Sequence, residues 1–375
     1  MVNKKITDIE VLRGFAVILV CIEHIPLNLF PWGGVFQNAF FGWTGMWSGV
    51  DLFFVISGFV ITRDLLPKLQ VAGSRQESLR VSVSFWIRRA WSISPSAWLW
   101  LFVILVASVF FNDLGAWGSL RSNFEGALAA VLNVANLRVW VVYGNFEVGS
   151  TFPYWSLSLE EQFYLIFPFV ILFSGRRFPL VLGIIVVAQL VFPRTPLGIM
   201  LRTDALALGA LIAVWANTDS YKLFDPKFLN SVLSRCLVLG VLAVSLIFVG
   251  GDDLHIPIEF SLVAYVSAIL VFIASFDKDY ILPKGLIKSI ATWIGARSYA
   301  IYLIHTPAYF ATREIWFRYE PEGTVFNDSY GMEFLLTALL LIVVFAELNY
   351  RFVEVPLRRR GAEISSNYMK QKTPE

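Results

Sequence analysis

The stretch that decides the class of this protein is residues 12–24, LRGFAVILVCIEH, in which Arg13 and His24 enclose ten mostly apolar residues. Ionisable side chains at membrane depth cost free energy, about 2.5–3.5 kcal/mol for an arginine at a helix centre, so each needs a specific reason. On one α-helix the separation gives about 16 Å of rise and about 1100° of rotation, which is within about 20° of whole turns. The spacing predicts that both side chains face the same interior, with Arg13 near the end that follows Lys4 and Lys5 and His24 deeper. This layout suits chemistry that reaches across a bilayer.

Composition indicates a polytopic membrane protein. Of the 375 residues, 57% are hydrophobic and 15% are charged, whereas a soluble globular chain carries about 25% charge. The net charge of +2 gives no reason to expect a nucleic-acid partner. Cys21 and Cys236 lie in apolar stretches with no metal-site or disulfide spacing, so we expect packing roles and no metal. The first apolar run lacks a small-residue cleavage site, which favours a retained span over a signal peptide.

Eleven apolar segments follow one another along the chain. They lie near residues 11–30, 46–66, 90–111, 124–141, 159–174, 178–193, 200–216, 234–250, 257–276, 289–312 and 333–353. Basic residues cluster in five of the interruptions, and the positive-inside rule places all five on the cytoplasmic face only if segment 124–141 does not span. The sequence therefore predicts an all-α bundle of about ten transmembrane helices, with 124–141 as a re-entrant or interfacial helix and both termini cytoplasmic. We expect one membrane domain over residues 1–360 and a short polar cytoplasmic tail over residues 361–375.

Asp51 is the carboxylate of the second apolar segment, within GVDLFFVISGF at residues 49–59. Small residues such as Ser57 and Gly58 are typical of helix packing in membranes. A carboxylate in an apolar span indicates a functional site, so Asp51 is a catalytic candidate.

Arg88 and Arg89 end a basic stretch that begins at Arg75, immediately before the third predicted span. Positive-inside anchoring explains Arg75 and Arg80 without a ligand. For Arg88 and Arg89 the pattern leaves anchoring and ligand binding open, because a guanidinium fork matches the geometry of phosphate.

The densest polar cluster is YWSLSLEEQFY at residues 154–164, which the topology places at the outer mouth of a span. A serine N-cap followed by acids in the first turn would account for one carboxylate. Glu160 and Glu161 lie about 100° apart on a helix, so both cannot face lipid and at least one must enter the bundle.

Two later motifs place charges at span ends. Arg202 and Asp204 open a span with an expected ion pair whose role, structural or functional, the sequence leaves open. Arg297 and His305 are expected on one helix within about 80° of each other, and Pro307 favours a structural or interfacial place near a helix end for His305. His255 is expected in a solvated loop.

Together these motifs resemble the membrane-bound acyltransferase-3 proteins, which O-acylate bacterial surface polysaccharides and related acceptors. The resemblance covers nearly the whole chain. It is carried in order by Arg13 to His24, residues 49–62, Arg88-Arg89 with Pro95, residues 155–164, Arg202 with Asp204, Arg297 to His305, and residues 350–356. Two positions depart from the family pattern: Ser92 stands where a further arginine is usual, and Glu23 stands where an apolar or aromatic residue is usual.

The resemblance implies an integral O-acyltransferase of the bacterial cytoplasmic membrane, with His24 as the catalytic residue. Acyl-CoA, most simply acetyl-CoA, would be the donor, and a hydroxyl of an exported or lipid-linked glycan the acceptor. The remaining candidates form three groups. The catalytic candidates besides His24 are Glu160, Glu161 and Asp51; the donor-binding candidates are Arg13, Arg88, Arg89 and Arg202; the acceptor-binding candidates are Trp155, Ser158, Tyr164, Arg297 and His305.

Several alternatives stay open. An acyl-imidazole on His24 and a direct transfer are equally compatible with the residues. A small secreted acceptor would require the same chemistry. A transporter or flippase would also use buried Arg, His and Glu, although no inverted repeat is visible. Partners beyond acyl-CoA, acceptor and membrane lipids, and the oligomeric state, are not indicated by the sequence.

Overall fold

The computed structural model describes residues 5–33, 40–192, 194–251 and 258–370, and within these ranges the chain is all-helical, without β-strands. We number its helices α1 Thr7–Glu23, α2 Ser48–Val71, α3 Arg75–Phe110, α4 Leu120–Val131, α5 Ala135–Val142, α6 Tyr154–Ser174, α7 Phe178–Val191, α8 Pro196–Met200, α9 Asp204–Trp215, α10 Val232–Phe248, α11 Glu259–Ser275, α12 Leu286–Ala296, α13 Ser298–Tyr319, α14 Gly331–Asn349 and α15 Val355–Lys370. A π-helical turn, Tyr350–Glu354, joins α14 to α15. The predicted all-α class is confirmed.

The described residues form two compact units, one drawn from Met1–Asp64 and Arg176–Tyr302 and the other from Leu65–Gly175 and Leu303–Glu375. We call them unit 1 and unit 2. Each is described separately below.

Unit 1 is built on close helix contacts at glycines. A Cβ placed on Gly14 of α1 would lie 2.6 Å from the carbonyl oxygen of Ala291 in α12. A Cβ on Gly209 of α9 would lie 2.0 Å from the carbonyl oxygen of Val55 in α2. Because only glycine leaves room for such approaches, these positions fix how the helices of unit 1 pack.

Unit 2 contains the longest helix, α3, with α15 packed along its first half. The hydroxyl oxygens of Ser84 and Ser365 lie 2.7 Å apart, and a Cβ on Gly361 would lie 2.3 Å from the Trp91 Cβ. The segment expected as a polar tail is therefore helical as far as Lys370 and packed against α3; its last residues, 371–375, lie outside the described residues.

Segment 124–141 is not one helix. It is divided between α4 and α5, and Asn133 between them has a φ of +57°. Twelve and eight residues give about 18 Å and about 12 Å of helix, both shorter than a hydrocarbon core of about 30 Å. That the segment does not span stays a prediction, since α9, within the predicted span 200–216, is also only 12 residues long.

Three helical stretches among the described residues are long and apolar enough to cross a membrane: Arg75–Phe110, Tyr154–Val191 and Asp328–Lys370. Several of the other predicted spans form helices of 17 residues or fewer, as α1, α10 and α11 do, or about 25 Å. The count of ten spans is therefore not established by helix length alone.

Two predicted spans differ from the observed helices. The first ends at Glu23 instead of residue 30, because Pro26 disfavours helical conformation in the residue before it. The segment 289–312 is broken at Arg297, which ends α12 with φ −106° and ψ 4° before α13 begins at Ser298. Arg297 therefore lies between α12 and α13 and not within one continuous helix with His305, as the prediction required.

Candidate active site

His24 lies in unit 1 at the C-terminal end of α1. Its N–H still donates to the Val20 carbonyl oxygen at 3.3 Å, and its own carbonyl oxygen accepts the Asn28 side-chain amide at 2.9 Å. The imidazole is thus carried by the residue that caps α1 and by a hydrogen-bonded turn, and the side chain is half-buried. A half-buried histidine can exchange a proton with a bound molecule.

Asp51 and Arg202 form a bidentate ion pair in unit 1. The Nε and Nη2 atoms of Arg202 donate to the two Asp51 carboxylate oxygens at 3.1 Å and 2.9 Å. The two residues are 0% and 3% exposed. Arg202 also lies 5.4 Å from the Trp47 ring centre and 5.2 Å from that of Phe260. The guanidinium is held by a carboxylate on α2 and by aromatic faces.

Asp204, at the start of α9, is paired with Arg194. The Arg194 Nη2 atom also donates to the Ser261 hydroxyl at 2.8 Å. The ion pair expected between Arg202 and Asp204 is thus replaced by two pairs that join different elements. Neighbours in sequence point in different directions here, because Arg202 and Thr203 precede the helix that Asp204 begins.

Arg13 is in the second turn of α1, about a third exposed. Its Nε atom donates to the hydroxyl of Ser298, the first residue of α13, at 3.2 Å. Arg297 stacks on Trp293, with 4.3 Å between the guanidinium carbon and the ring centre. Helix N-termini favour anions, so Arg13 beside the first turn of α13 is suited to a phosphate or carboxylate.

Unit 2 brings together Arg89, Tyr164 and Glu160. The Arg89 guanidinium lies 5.5 Å from the Tyr164 ring centre, and the Tyr164 hydroxyl donates to Glu160 at 3.1 Å. Residues 75–89 were expected as a cytoplasmic stretch before a span, but α3 is continuous from Arg75. Arg88 and Arg89 are therefore helical, and Arg89 faces α6.

Ser158 and Glu161 border a small cavity of unit 2. The cavity has a volume of about 60 Å³, and Ser94, Asn133 and Tyr154 are among its other lining residues. This is space for a few water molecules or one hydroxyl-bearing group. The Ser158 hydroxyl also accepts the Ala135 N–H at 3.2 Å, which ties α5 to α6.

The N-cap interpretation of this region is wrong. Helix α6 begins at Tyr154, and its cap residue is Pro153. Ser156 and Ser158 are therefore inside the helix, as are both glutamates, while Trp155 is half-buried in the first turn. The expectation that at least one glutamate leaves the lipid face is met by Glu161, which lines the cavity.

His305 lies well inside α13 and is completely buried. Its ring packs edge-to-face on Tyr309 with 5.9 Å between centres, so His305 lies in the packed interior of unit 2. His255 lies outside the described residues. Within the described ranges, no three His, Cys, Asp or Glu side chains are grouped as metal ligands would be.

The sequence assigned no role to three residues near these groups: Trp47, Arg194 and Glu23, the last noted only as a departure from the family pattern. Glu23 carried a usable signal, because it is a carboxylate in an apolar run, as Asp51 is. Trp47 and Arg194 carried none, since an aromatic residue before a span and an arginine after one are ordinary at membrane interfaces.

A family model described as an acyltransferase domain matches residues 6–346, and the chain belongs to this family, the acyltransferase-3 family. Two relatives show where the similarity extends. The peptidoglycan O-acetyltransferase OatA of Listeria monocytogenes is 28% identical over 96% of this chain and 57% of its own length. The O-acetyltransferase OatA of Staphylococcus aureus is 27% identical over 96% of this chain and 58% of its own. The chain thus spans somewhat more than half the length of these curated relatives. No solved structure matches it.

Proposed function

We propose that this chain is an integral membrane O-acetyltransferase, which moves an acetyl group from cytoplasmic acetyl-CoA to a hydroxyl of a cell-surface glycan. The observation that carries the proposal is the match to the acyltransferase family over residues 6–346. The Listeria relative, named for peptidoglycan, supports an exported or lipid-linked glycan as the acceptor class.

His24 is the proposed proton acceptor. Histidine has an ordinary pKa of about 6.5, which suits a general base at neutral pH. The acceptor oxygen forms a bond to the thioester carbonyl carbon as its proton passes to the imidazole. The carbon–sulfur bond then breaks, its electron pair leaves with the sulfur, and the imidazolium gives the proton to that sulfur, which releases CoA as a thiol and returns His24 to its neutral form. The half-buried place of His24 at a helix end supports this role, because the ring is positioned and still reachable.

The proposed donor site uses arginine for the phosphates of CoA. In unit 2, Arg88 and Arg89 on α3 can each offer a charged donor to phosphate. In unit 1, Arg13 beside α13 is a separate phosphate-binding candidate. The guanidinium of Arg202 is already paired with the Asp51 carboxylate, which favours a positioning role over phosphate binding. Glu160, with Tyr164, and Glu161, at its cavity, are proposed to orient the acceptor.

Charge removal tests the donor site. Arg89→Gln should weaken acetyl-CoA binding by about 10- to 150-fold, the loss of one charge-assisted hydrogen bond of about 1.5–3 kcal/mol. Arg75→Gln, at the exposed start of α3, is the control and should bind acetyl-CoA as the parent does. Equal dissociation constants for parent and Arg89→Gln in nanodiscs would remove Arg89 from the donor site.

We further propose ten spans in the bacterial cytoplasmic membrane, with both termini cytoplasmic and α4 and α5 on the outer face. Single cysteines at the exposed positions Arg121 and Asn145, in a background without Cys21 and Cys236, should both react from outside with an impermeant thiol reagent. Reaction of only one of them would mean that the chain crosses the membrane between them.

His24→Ala tests the central assignment. Loss of a general base typically costs about 10² to 10⁴ in rate, so acetylated surface glycan, measured by mass spectrometry, should disappear. The control is Leu27→Ala, which changes an exposed side chain of the same turn. Parental acetylation in cells that carry membrane-inserted His24→Ala would refute the proposed role of His24.

A further inference from the structure

Glu23 is the last residue of α1 and the neighbour of His24. One of its carboxylate oxygens, Oε2, accepts the backbone N–H of Trp47 at 3.1 Å. Trp47 immediately precedes α2, which begins at Ser48. The side chain before the candidate base is therefore bound to the start of a second helix.

The hydrogen bond from the Trp47 N–H to the Glu23 carboxylate is electrostatically favourable. The first N–H groups of a helix have no partner within the helix and carry a partial positive charge. A carboxylate that accepts one of them forms a charge-assisted hydrogen bond, which is stronger than a neutral one. Glu23 thus stabilises the N-terminus of α2 while α2 holds the end of α1.

Trp47 is itself rigidly held. Its indole N–H donates to the Gly250 carbonyl oxygen at 2.9 Å, and its ring lies 4.7 Å from that of Phe260. Arg202, bound to Asp51 one turn into α2, covers the Trp47 ring. The anchor for Glu23 is consequently part of the buried ion-pair cluster of unit 1.

The two helices also leave little room for movement. A Cβ on Gly49 of α2 would lie 2.5 Å from the carbonyl oxygen of Ala16 in α1. The hydrogen bond from the Trp47 N–H to Glu23 joins the C-terminal end of α1 to the N-terminal end of α2. Beyond it, Asn28 fixes the His24 carbonyl, so the backbone is held on both sides of the imidazole.

We propose that Glu23 is a positioning residue, whose bond to the Trp47 N–H sets the place of His24 against the Trp47–Arg202–Asp51 cluster. The inference rests on the proposed function, since it assigns Glu23 a role in the reaction of His24. A displacement of about 1 Å in a catalytic group can cost about 100-fold in rate, so the anchor is expected to matter for turnover more than for binding.

The experiment compares Glu23→Ala, Glu23→Gln and the parent. Radiolabelled acetyl-CoA is added to inside-out membrane vesicles, and the label is measured in the glycan fraction. Glu23→Ala should lower kcat about 10- to 100-fold with a KM for acetyl-CoA within about twofold of the parent. Glu23→Gln should keep most of kcat, because the amide oxygen can still accept the Trp47 N–H.

Glu147→Ala is the matched control. Glu147 also caps a backbone N–H, that of Ser119 at 2.8 Å, but in unit 2 and at an exposed loop. Its removal should leave kcat unchanged. A general effect of losing a capping carboxylate would lower both alanine variants, which would overturn the assignment.

Hydrogen exchange provides a reading that does not need activity. In Glu23→Ala, the amide of Trp47 and the amides of residues 24–30 should exchange faster than in the parent. Parental exchange, parental kcat, or equal losses in the Ala and Gln variants would each overturn the proposal. A parent that transfers no label would refute the proposed function, while the exchange result would still decide whether Glu23 holds the His24 turn.

Discussion

Asp51 of unit 1 and Glu314 of unit 2 are both carboxylates with 0% exposure, yet the chain stabilises them differently. Asp51 is matched by one side chain, the guanidinium of Arg202. Glu314, on α13, accepts the backbone N–H groups of Asp113, Leu114 and Ala116 at 3.1–3.3 Å. The first arrangement balances charge against charge, whereas the second surrounds a charge with backbone dipoles.

The difference determines what a mutation can do. An ion pair fails when either partner is lost, because the other stays buried with its charge. A backbone site cannot be removed by mutating the donors, since every residue except proline has an N–H. Among the hydrogen-bonding members of that site, only the carboxylate can be removed by a side-chain substitution. The Asp51 ion pair is therefore sensitive to substitution at two positions 151 residues apart, and the hydrogen bonds of Glu314 at one.

The largest expected effect is that of Asp51→Asn. The change leaves the buried guanidinium of Arg202 without its ionised partner, which typically costs about 3–5 kcal/mol. Unfolding in detergent micelles, followed by intrinsic fluorescence, measures this loss.

The double variant Asp51→Leu with Arg202→Leu sharpens the result. If the pair acts through its charges, removing both should destabilise less than Asp51→Asn alone, because no unpaired charge is left. A double variant less stable than the single would show that packing against Trp47 and Phe260 dominates at Arg202.

Glu314→Gln should have an intermediate effect. Glutamine offers one acceptor oxygen in place of two and turns an N–H donor toward other N–H donors. At least one loop N–H then loses its partner, at a cost of about 1–3 kcal/mol. We expect a lower unfolding free energy and faster proteolysis of the loop between α3 and α4.

The control for Glu314→Gln is Glu333→Gln, at an exposed position in the first turn of α14. An exposed change of this kind normally stays within about 0.5 kcal/mol. Equal stability losses in the two variants would contradict a specific role for the loop contact.

This comparison also shows what the sequence can reveal about the site. Asp51 was identifiable, because a carboxylate in an apolar span requires compensation. Its partner was not, since nearness in sequence favoured Asp204 as the partner of Arg202, whereas tertiary packing joins Arg202 to Asp51. Glu314 was not identified, because backbone donors leave no pattern in the sequence.

The helix boundaries likewise include some that the local sequence signals and some that it does not. The end of α1 was predictable from Pro26, a local signal. No proline lies at the break at Arg297. The nearest glycine is Gly295, and its missing Cβ permits close contact with Glu10 in α1. Close packing of α12 against α1 accompanies the break, and such a tertiary contact leaves no local signal in the sequence.

The smallest effect on stability is expected where a paired carboxylate is partly exposed. Asp279, with 36% of its side chain exposed, accepts a hydrogen bond from Lys288 at 2.6 Å. This bond and the Lys288 charge hold the pKa of Asp279 below its ordinary value, which is about 3.9 in an unfolded chain. The stabilisation is therefore complete above about pH 4 and is lost as the pH falls through the lower pKa of the folded state.

Asp279→Asn should accordingly lower the free energy of unfolding near pH 6 by no more than about 1 kcal/mol, because Asp279 is partly exposed and Lys288 keeps Asp8 as a partner. The difference from the parent should shrink as the pH falls below about pH 4 and the parent carboxylate becomes protonated and neutral. Asparagine is chosen to avoid backbone strain, because residue 279 has a φ of +61°, a conformation that Asn adopts readily. Asp219→Asn, at a fully exposed carboxylate, is the control for the same substitution at a surface position. A gap between parent and Asp279→Asn that widens as the pH falls would mean that Asp279 destabilises the folded state when ionised, the opposite of what its bond to Lys288 implies.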